Sequence, residues 1–238
     1  GEESVSLYFE EEPIFSCLTA AACATEETES VSGDSYSFLE TDDSVAMILS
    51  DGVGSGESAA RDSGRIVDLT ERILDAGLGP DMAMLFLNGM AGAEGDENRM
   101  ATLDLCRIDL YRGECETVKA GGAAGFIKRS DRVEKIQSRQ LPLGMSASED
   151  ISEKKWQLNS GDLVILVSDG VVQNWPCGDG EYLLEQKIAS LNVSSPVDLA
   201  NLILRYAIRQ CGGKIRDDMT VLVTGIWKNE EREIEDIE

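Results

Sequence analysis

The sequence predicts a single α+β domain built in layers, on three observations. Most strand-like apolar runs are joined by tight turns, which favours antiparallel pairing. No repeated strand–helix unit occurs, so doubly wound and barrel folds are disfavoured. The helical segments come as two pairs, one in mid-chain and one before the last strand. The chain has 238 residues, 42% of them hydrophobic, which is enough for a core of one large domain. No low-complexity linker divides it. One domain is therefore expected over residues 1–229, followed by an acidic tail at 230–238 with little to bury and an expectation of disorder.

Residues 14–24 read as a strand or buried segment, and 26–33 as a polar turn. Strands over 35–40 and 45–50 flank Thr41-Asp42-Asp43, which is turn chemistry and predicts a hairpin. The glycine-rich run Asp51 to Gly56 follows. Ile66, Leu69, Ile73 and Ala76 fall at helical spacing, so a helix is predicted over 58–76. Gly77-Leu78-Gly79-Pro80 stops it, and Asp81 is placed to cap a second helix over 82–90. That helix carries few charges, which predicts that most of its surface is covered.

Strands are then predicted over 102–111 and 114–120, joined by Arg112-Gly113. In the first, the apolar phase shifts between Leu105 and Cys106, which predicts a bulge or burial on both faces. Shorter strands follow over 126–129, 133–136, 155–158 and 163–168. Helices are expected over 181–191 and 196–210. The second has Ser195 as N-cap and Pro196 at the first helical position, with Gly212-Gly213 to end it. Met219, Val221 and Val223 alternate in a final strand over 219–227.

Composition narrows the function. The net charge is −24, which argues against gripping nucleic acid or an anionic membrane surface. There is no histidine. That removes Ser–His–Asp and Cys–His catalysis, histidine-ligated metals and imidazole acid–base chemistry. The six cysteines are scattered and form no C-x-x-C, so free buried thiols in a reducing cytoplasm are expected. No uncharged run reaches the roughly 18 residues of a membrane span. The chain begins with Gly1, which suggests an excised domain with room for an upstream membrane tether.

The chemistry must then fall to carboxylates. Asp34 sits in Ser32-Gly33-Asp34-Ser35, and Asp217-Asp218 leads into the last strand. Ser-Asp-Gly occurs at both 50–52 and 168–170, each time just after a strongly apolar run. A lone Asp-Gly is usually a turn. Two such strand ends meeting at one edge of a sandwich would bring carboxylates together. At about 4 Å and an effective dielectric of 20, a pair repels by about 4 kcal/mol, so protons or cations must join them. All-oxygen ligands suit Mg²⁺ or Mn²⁺.

Read in order, these segments resemble the PPM (type 2C) metal-dependent serine/threonine phosphatases, most closely the phosphatase domain of the stage II sporulation protein E branch. Ser32 to Ser37, Ser50 to Gly56, Thr102 to Leu105, Phe126 to Arg129, Leu141 to Gly144, Gly161 to Leu163, Ser168 to Gly170 and Asp217 to Val221 carry the likeness. The resemblance implies a four-layer αββα sandwich, two antiparallel sheets with helices outside. It implies two Mn²⁺ or Mg²⁺ ions at one edge, with Asp51 bridging them and the Gly52 carbonyl beside it. Asp169, Asp217 and Asp34 are the further acidic ligands, and Asp218 supports from behind. In this scheme Asp51 and Asp169 are the residues on which catalysis rests. The ions would lower the pKa of a shared water toward about 7 for in-line attack on phosphorus. Where animal relatives carry Asp-Gly-His-Gly, this chain has Val53, so the leaving oxygen must take its proton elsewhere.

The implied substrate is phosphoserine on a small anti-sigma-factor antagonist in sporulation. The alternative is an inactive phosphatase-like module that binds a partner. The helix pair after Gly56 resembles a switch driven by dimerisation or by an upstream region, and ordinary covering helices are the equal alternative. Two decoys fall away. Cys211 and Arg216 are separated by one residue too few for a cysteine-phosphatase loop. The glycines of 52–56 match no nucleotide-binding pattern.

Overall fold

The computed structural model describes residues 11–94, 101–137, 141–145, 153–176 and 179–229. The acidic tail at 230–238 lies outside them. The elements run β1 (Phe15–Ala24), β2 (Asp34–Glu40), β3 (Ser44–Asp51), α1 (Gly56–Asp75), α2 (Pro80–Glu94), β4 (Leu103–Asp109), β5 (Glu114–Ala120), β6 (Gly125–Lys128) and β7 (Val133–Ile136). Then come β8 (Lys154–Gln157), β9 (Leu163–Val167), a short 3-10 turn (Asp169–Val171), α3 (Gly180–Ser190), α4 (Pro196–Gln210) and β10 (Met219–Lys228).

Two five-stranded sheets form, in the orders β1-β10-β9-β6-β7 and β2-β3-β4-β5-β8. Every neighbouring pair is antiparallel. Three apolar layers hold the sheets and helices together. Met47, Leu49, Val164, Leu166 and Leu222 meet between the sheets. Leu163, Ile165 and Val223 pack under α3 and α4. Ala46, Ile48 and Leu105 pack under α1 and α2. The result is the four-layer sandwich.

The apolar runs of β3 and β9 follow from this burial on both faces, since successive side chains serve different layers. The phase shift in β4 has the same cause. Leu103 and Leu105 face the helices, while Cys106 and Ile108 face the other sheet. Its register with β3 and β5 runs one residue to one, so there is no bulge.

α4 begins and ends where its caps dictate. Ser195 accepts a hydrogen bond from the Asp198 N–H at 3.3 Å, and Gly213, at φ +81°, donates to the Ile208 carbonyl. Two expectations for α2 are corrected. It starts at Pro80, so Asp81 lies in its first turn and is not the cap; proline's fixed φ suits the first helical position. Its surface is also only half covered. Ala83, Met84 and Leu87 are buried, whereas Leu85, Phe86 and Met90 are exposed. Few charges did not mean full burial, because one sheet covers only one face of a helix.

Candidate metal centre

The acidic residues singled out from sequence meet at one end of the sandwich. Asp34 opens β2 and Asp51 closes β3, and the two are direct cross-strand partners. The opposite sheet contributes Asp169, just past β9, and Asp217-Asp218, just before β10. β9 and β10 are themselves paired, with Val221 opposite Val167. Four distant stretches of chain therefore deliver carboxylates to one seam. Three of them adjoin the buried strands β3, β9 and β10, and Asp34 opens the edge strand β2.

Glycines make the close approach possible. A Cβ on Gly52 would lie 2.3 Å from the Ala59 carbonyl oxygen of α1. A Cβ on Gly170 would lie 2.2 Å from the Asp218 carbonyl oxygen. At both Ser-Asp-Gly triplets the glycine is thus required by backbone packing, beyond any turn preference.

Hydrogen bonds fix the backbone beneath the carboxylates. The Asp51 N–H donates to the Thr102 hydroxyl and the Thr102 N–H to the Asp51 carbonyl, both at 2.9 Å. The Ser50 hydroxyl donates to the Thr102 carbonyl at 2.7 Å. Ser168 and Thr220 make a similar clamp across the other sheet, through the Ser168 N–H and the Thr220 N–H. Asp218 is buried and accepts from the backbone N–H groups of Gly33 at 2.6 Å and Glu26 at 2.9 Å. Both its oxygens are so engaged, and it ties the segment before Asp34 to the segment that carries Asp217.

The electrostatics record the crowding. Burial pushes the Asp34 carboxyl up to about 7, and the nearby charges of Asp218 and Asp169 add to it. The Thr220 and Ser168 hydroxyls lie near enough to oppose that rise, yet neither makes a hydrogen bond of normal geometry. Asp51 is pushed up to about 9 by burial, then by Asp34 and Asp169. Burial and the Asp169 charge also raise Asp217. Carboxylates crowded this closely are stabilised by sharing a proton or a cation.

The donor set fits a hard divalent cation. It consists of oxygens, and both oxygens of Asp34 are buried without a hydrogen-bond partner. Buried acceptors without partners are costly, and a cation would satisfy them. Asp34, Asp51, Asp169, Asp217 and the Gly52 carbonyl are the groups able to hold it. Among the described residues, no three acidic side chains already stand as a finished ligand set. The Gln173 side-chain amide donates to one Asp169 oxygen at 2.6 Å.

Sequence reasoning did not single out Thr102, Ser168, Thr220 or Gln173 for these supporting roles. Each acts through a partner brought to it by the fold. Val53, the residue in place of the expected histidine, is 57% exposed beside the site.

Comparison with known proteins identifies the family. Residues 41–226 match the family model for stage II sporulation protein E (SpoIIE). The chain is 36% identical over 213 residues to stage II sporulation protein E of Bacillus subtilis (strain 168), covering 89% of this chain and 26% of that protein. It is 35% identical over 218 residues to the protein of the same name from Priestia megaterium, covering 89% of this chain and 36% of that one. The chain thus spans about a quarter to a third of the length of these relatives. A solved structure of the PP2C phosphatase domain and a fragment of the regulatory domain of SpoIIE from Bacillus subtilis superposes with a TM-score of 0.85. The identity is 34%, over 91% of this chain and 64% of that one.

Proposed function

The chain belongs to the stage II sporulation protein E family and is a phosphatase domain of the PP2C type, and from that we propose that it hydrolyses phosphoserine on a small regulatory protein, an anti-sigma-factor antagonist, with two Mn²⁺ or Mg²⁺ ions. The observation that carries this reading is the meeting of Asp34, Asp51, Asp169 and Asp217 at one seam. When bound, the cations would supply an activated water and neutralise charge on the phosphoryl oxygens.

The protein's own groups have separate parts. Asp51 and Asp169, from opposite sheets, would hold the ions. Asp34 and Asp217 would add further carboxylates, and the Gly52 carbonyl a neutral oxygen. Asp218 keeps both hydrogen bonds to backbone and sets the positions of its neighbours. Val53 cannot donate a proton, so the leaving serine oxygen must take one from water or from another group. One curated relative, phosphoserine phosphatase RsbU of Bacillus subtilis (strain 168), 24% identical over 81% of this chain, is named for the same chemistry. The five described cysteines are free, which accords with a cytoplasmic setting. Among the described residues no helix is long and apolar enough to cross a membrane.

Regulation through α1 belongs to the same reading. Ala59 of that helix touches Gly52, so a tilt of α1 would move a metal-holding carbonyl.

Hydrolysis of p-nitrophenyl phosphate and of a phosphoserine protein, titrated with Mn²⁺ and Mg²⁺, tests the proposal. The expected result is divalent-dependent release of phosphate that Asp169→Asn abolishes. No turnover with either ion would leave a partner-binding module.

A further inference from the structure

The segment between β1 and β2, residues 25–33, is held as a strap over the acidic seam. Asp218 receives the N–H groups of Glu26 and Gly33 near its two ends. The Glu27 N–H donates to the Ile215 carbonyl at 3.1 Å, which ties the strap to the loop before Asp217. The Ile215 N–H also donates to the Glu27 side chain and the Gly52 N–H to the Gly33 carbonyl, both at 3.3 Å. Glu29 adds a side-chain contact that reaches the other way, to the start of α1.

Ser55 is the N-cap residue of α1, with the extended backbone such residues adopt, yet its side chain makes no cap hydrogen bond. Its hydroxyl instead donates to Glu29 Oε1 at 2.9 Å. The other oxygen of Glu29 lies against the first residue of the helix. A Cβ on Gly56, itself at φ +68°, would come 2.7 Å from Oε2. A carboxylate therefore sits at the positive end of α1, where the unpaired N–H groups favour negative charge. That placement offsets the repulsion expected of one more acid near an acidic seam in a chain of net charge −24.

The contact has consequences for the site because α1 is packed without slack. Ala59, in the first turn, blocks any side chain at Gly52 and lies 2.9 Å from a Cβ built on Gly33. Glu29 thereby links the strap that leads to Asp34, the loop that follows Asp51, and the helix turn resting on both glycines. We propose that Glu29 is a positioning residue for the divalent-ion site. Its bond to Ser55 fixes the Asp51–Gly56 loop against the Asp34 strap. This rests on the metal-dependent phosphatase reading.

The test uses the chain as it stands, with Glu29→Ala, Ser55→Ala, the double variant and Ser55→Thr. Mn²⁺ affinity is read without substrate, by calorimetry, and as the Mn²⁺ half-saturation of p-nitrophenyl phosphate hydrolysis. Each single alanine variant is expected to raise both values about five-fold, the equilibrium worth of one ordinary hydrogen bond. The double variant should do no worse than either single one, because both remove the same bond, and Ser55→Thr should restore what Ser55→Ala loses. Melting temperatures that fall while Mn²⁺ affinity stays within two-fold, or additive losses in the double variant, would reduce Glu29 to a helix cap and overturn the proposal. A parent chain that binds no Mn²⁺ would overturn the phosphatase reading together with it. A parent that binds Mn²⁺, with unchanged variants, would overturn only the role of Glu29.

Discussion

Asp34 and Asp51 face each other as cross-strand partners at the open end of the β2–β3 hairpin, and burial raises both carboxyls, to about 7 and about 9. Like charges directly opposite on neighbouring strands destabilise a sheet. The pair is tolerable in the metal-free protein only while it holds protons.

This fixes the sign of a pH dependence. In the unfolded chain both groups lose their protons near pH 4, whereas in the folded protein they keep them until about 7 and 9. The folded state binds more protons across that window, so its stability falls as pH rises through it. Thermal melts of the metal-free protein should show this slope, and Asp34→Asn should flatten it. Stabilisation by Mn²⁺ should grow over the same range, as protons stop competing for the site. A steeper slope in Asp34→Asn would refute the assignment.

Gly52→Ala and Gly170→Ala force a Cβ to within 2.3 Å and 2.2 Å of backbone oxygens, which cannot move as a side chain would. Each should cost about 1–3 kcal/mol of stability from overpacking. Each should also weaken Mn²⁺ binding more than that cost alone would suggest, since both glycines adjoin ligand candidates. Denaturant unfolding and metal titration on the same samples check this.

Asp218→Ala removes the acceptor of the Gly33 and Glu26 N–H groups. Gly33 is buried, so its N–H would be left without a partner, and a loss of about 2 kcal/mol is expected. Asp218→Asn keeps one acceptor oxygen and should lose about half as much. Chemical denaturation midpoints distinguish the two.

Asp104 and Lys119 form an ion pair at 2.5 Å, with side chains only 3% and 4% exposed. Burial outweighs the lysine and raises the Asp104 carboxyl to about 6. Lys119→Met leaves that carboxyl buried without its cation and should cost about 3–5 kcal/mol near neutral pH. Asp104→Leu with Lys119→Met should regain most of the loss. A double variant as unstable as the single would show that the pair does more than neutralise itself.

The strands were legible because the two-residue alternation and the turn residues agree. α4 was legible to the residue because Ser195, Pro196 and Gly213 punctuate it. α2 was less so, since Pro80 competes with Asp81 for the start and the composition does not say which face a sheet will cover. The site shows the same division. Asp51 and Asp169 follow apolar strands that point somewhere definite, and their paired glycines mark close packing. Gln173 and Glu29 were hidden, because a single amide or carboxylate has no periodicity and acquires a role only when the fold supplies its partner.

The acidic ring is split between two separate sheets, with Asp34 and Asp51 on one and Asp169 and Asp217 on the other. Ions held across that divide would act as a cross-link between halves otherwise joined by contacts such as Met47, Leu49, Val164 and Leu166. Loading the site would thus be felt through the whole body of the protein, and slippage of one half along the other would unmake the catalyst without unfolding a single strand.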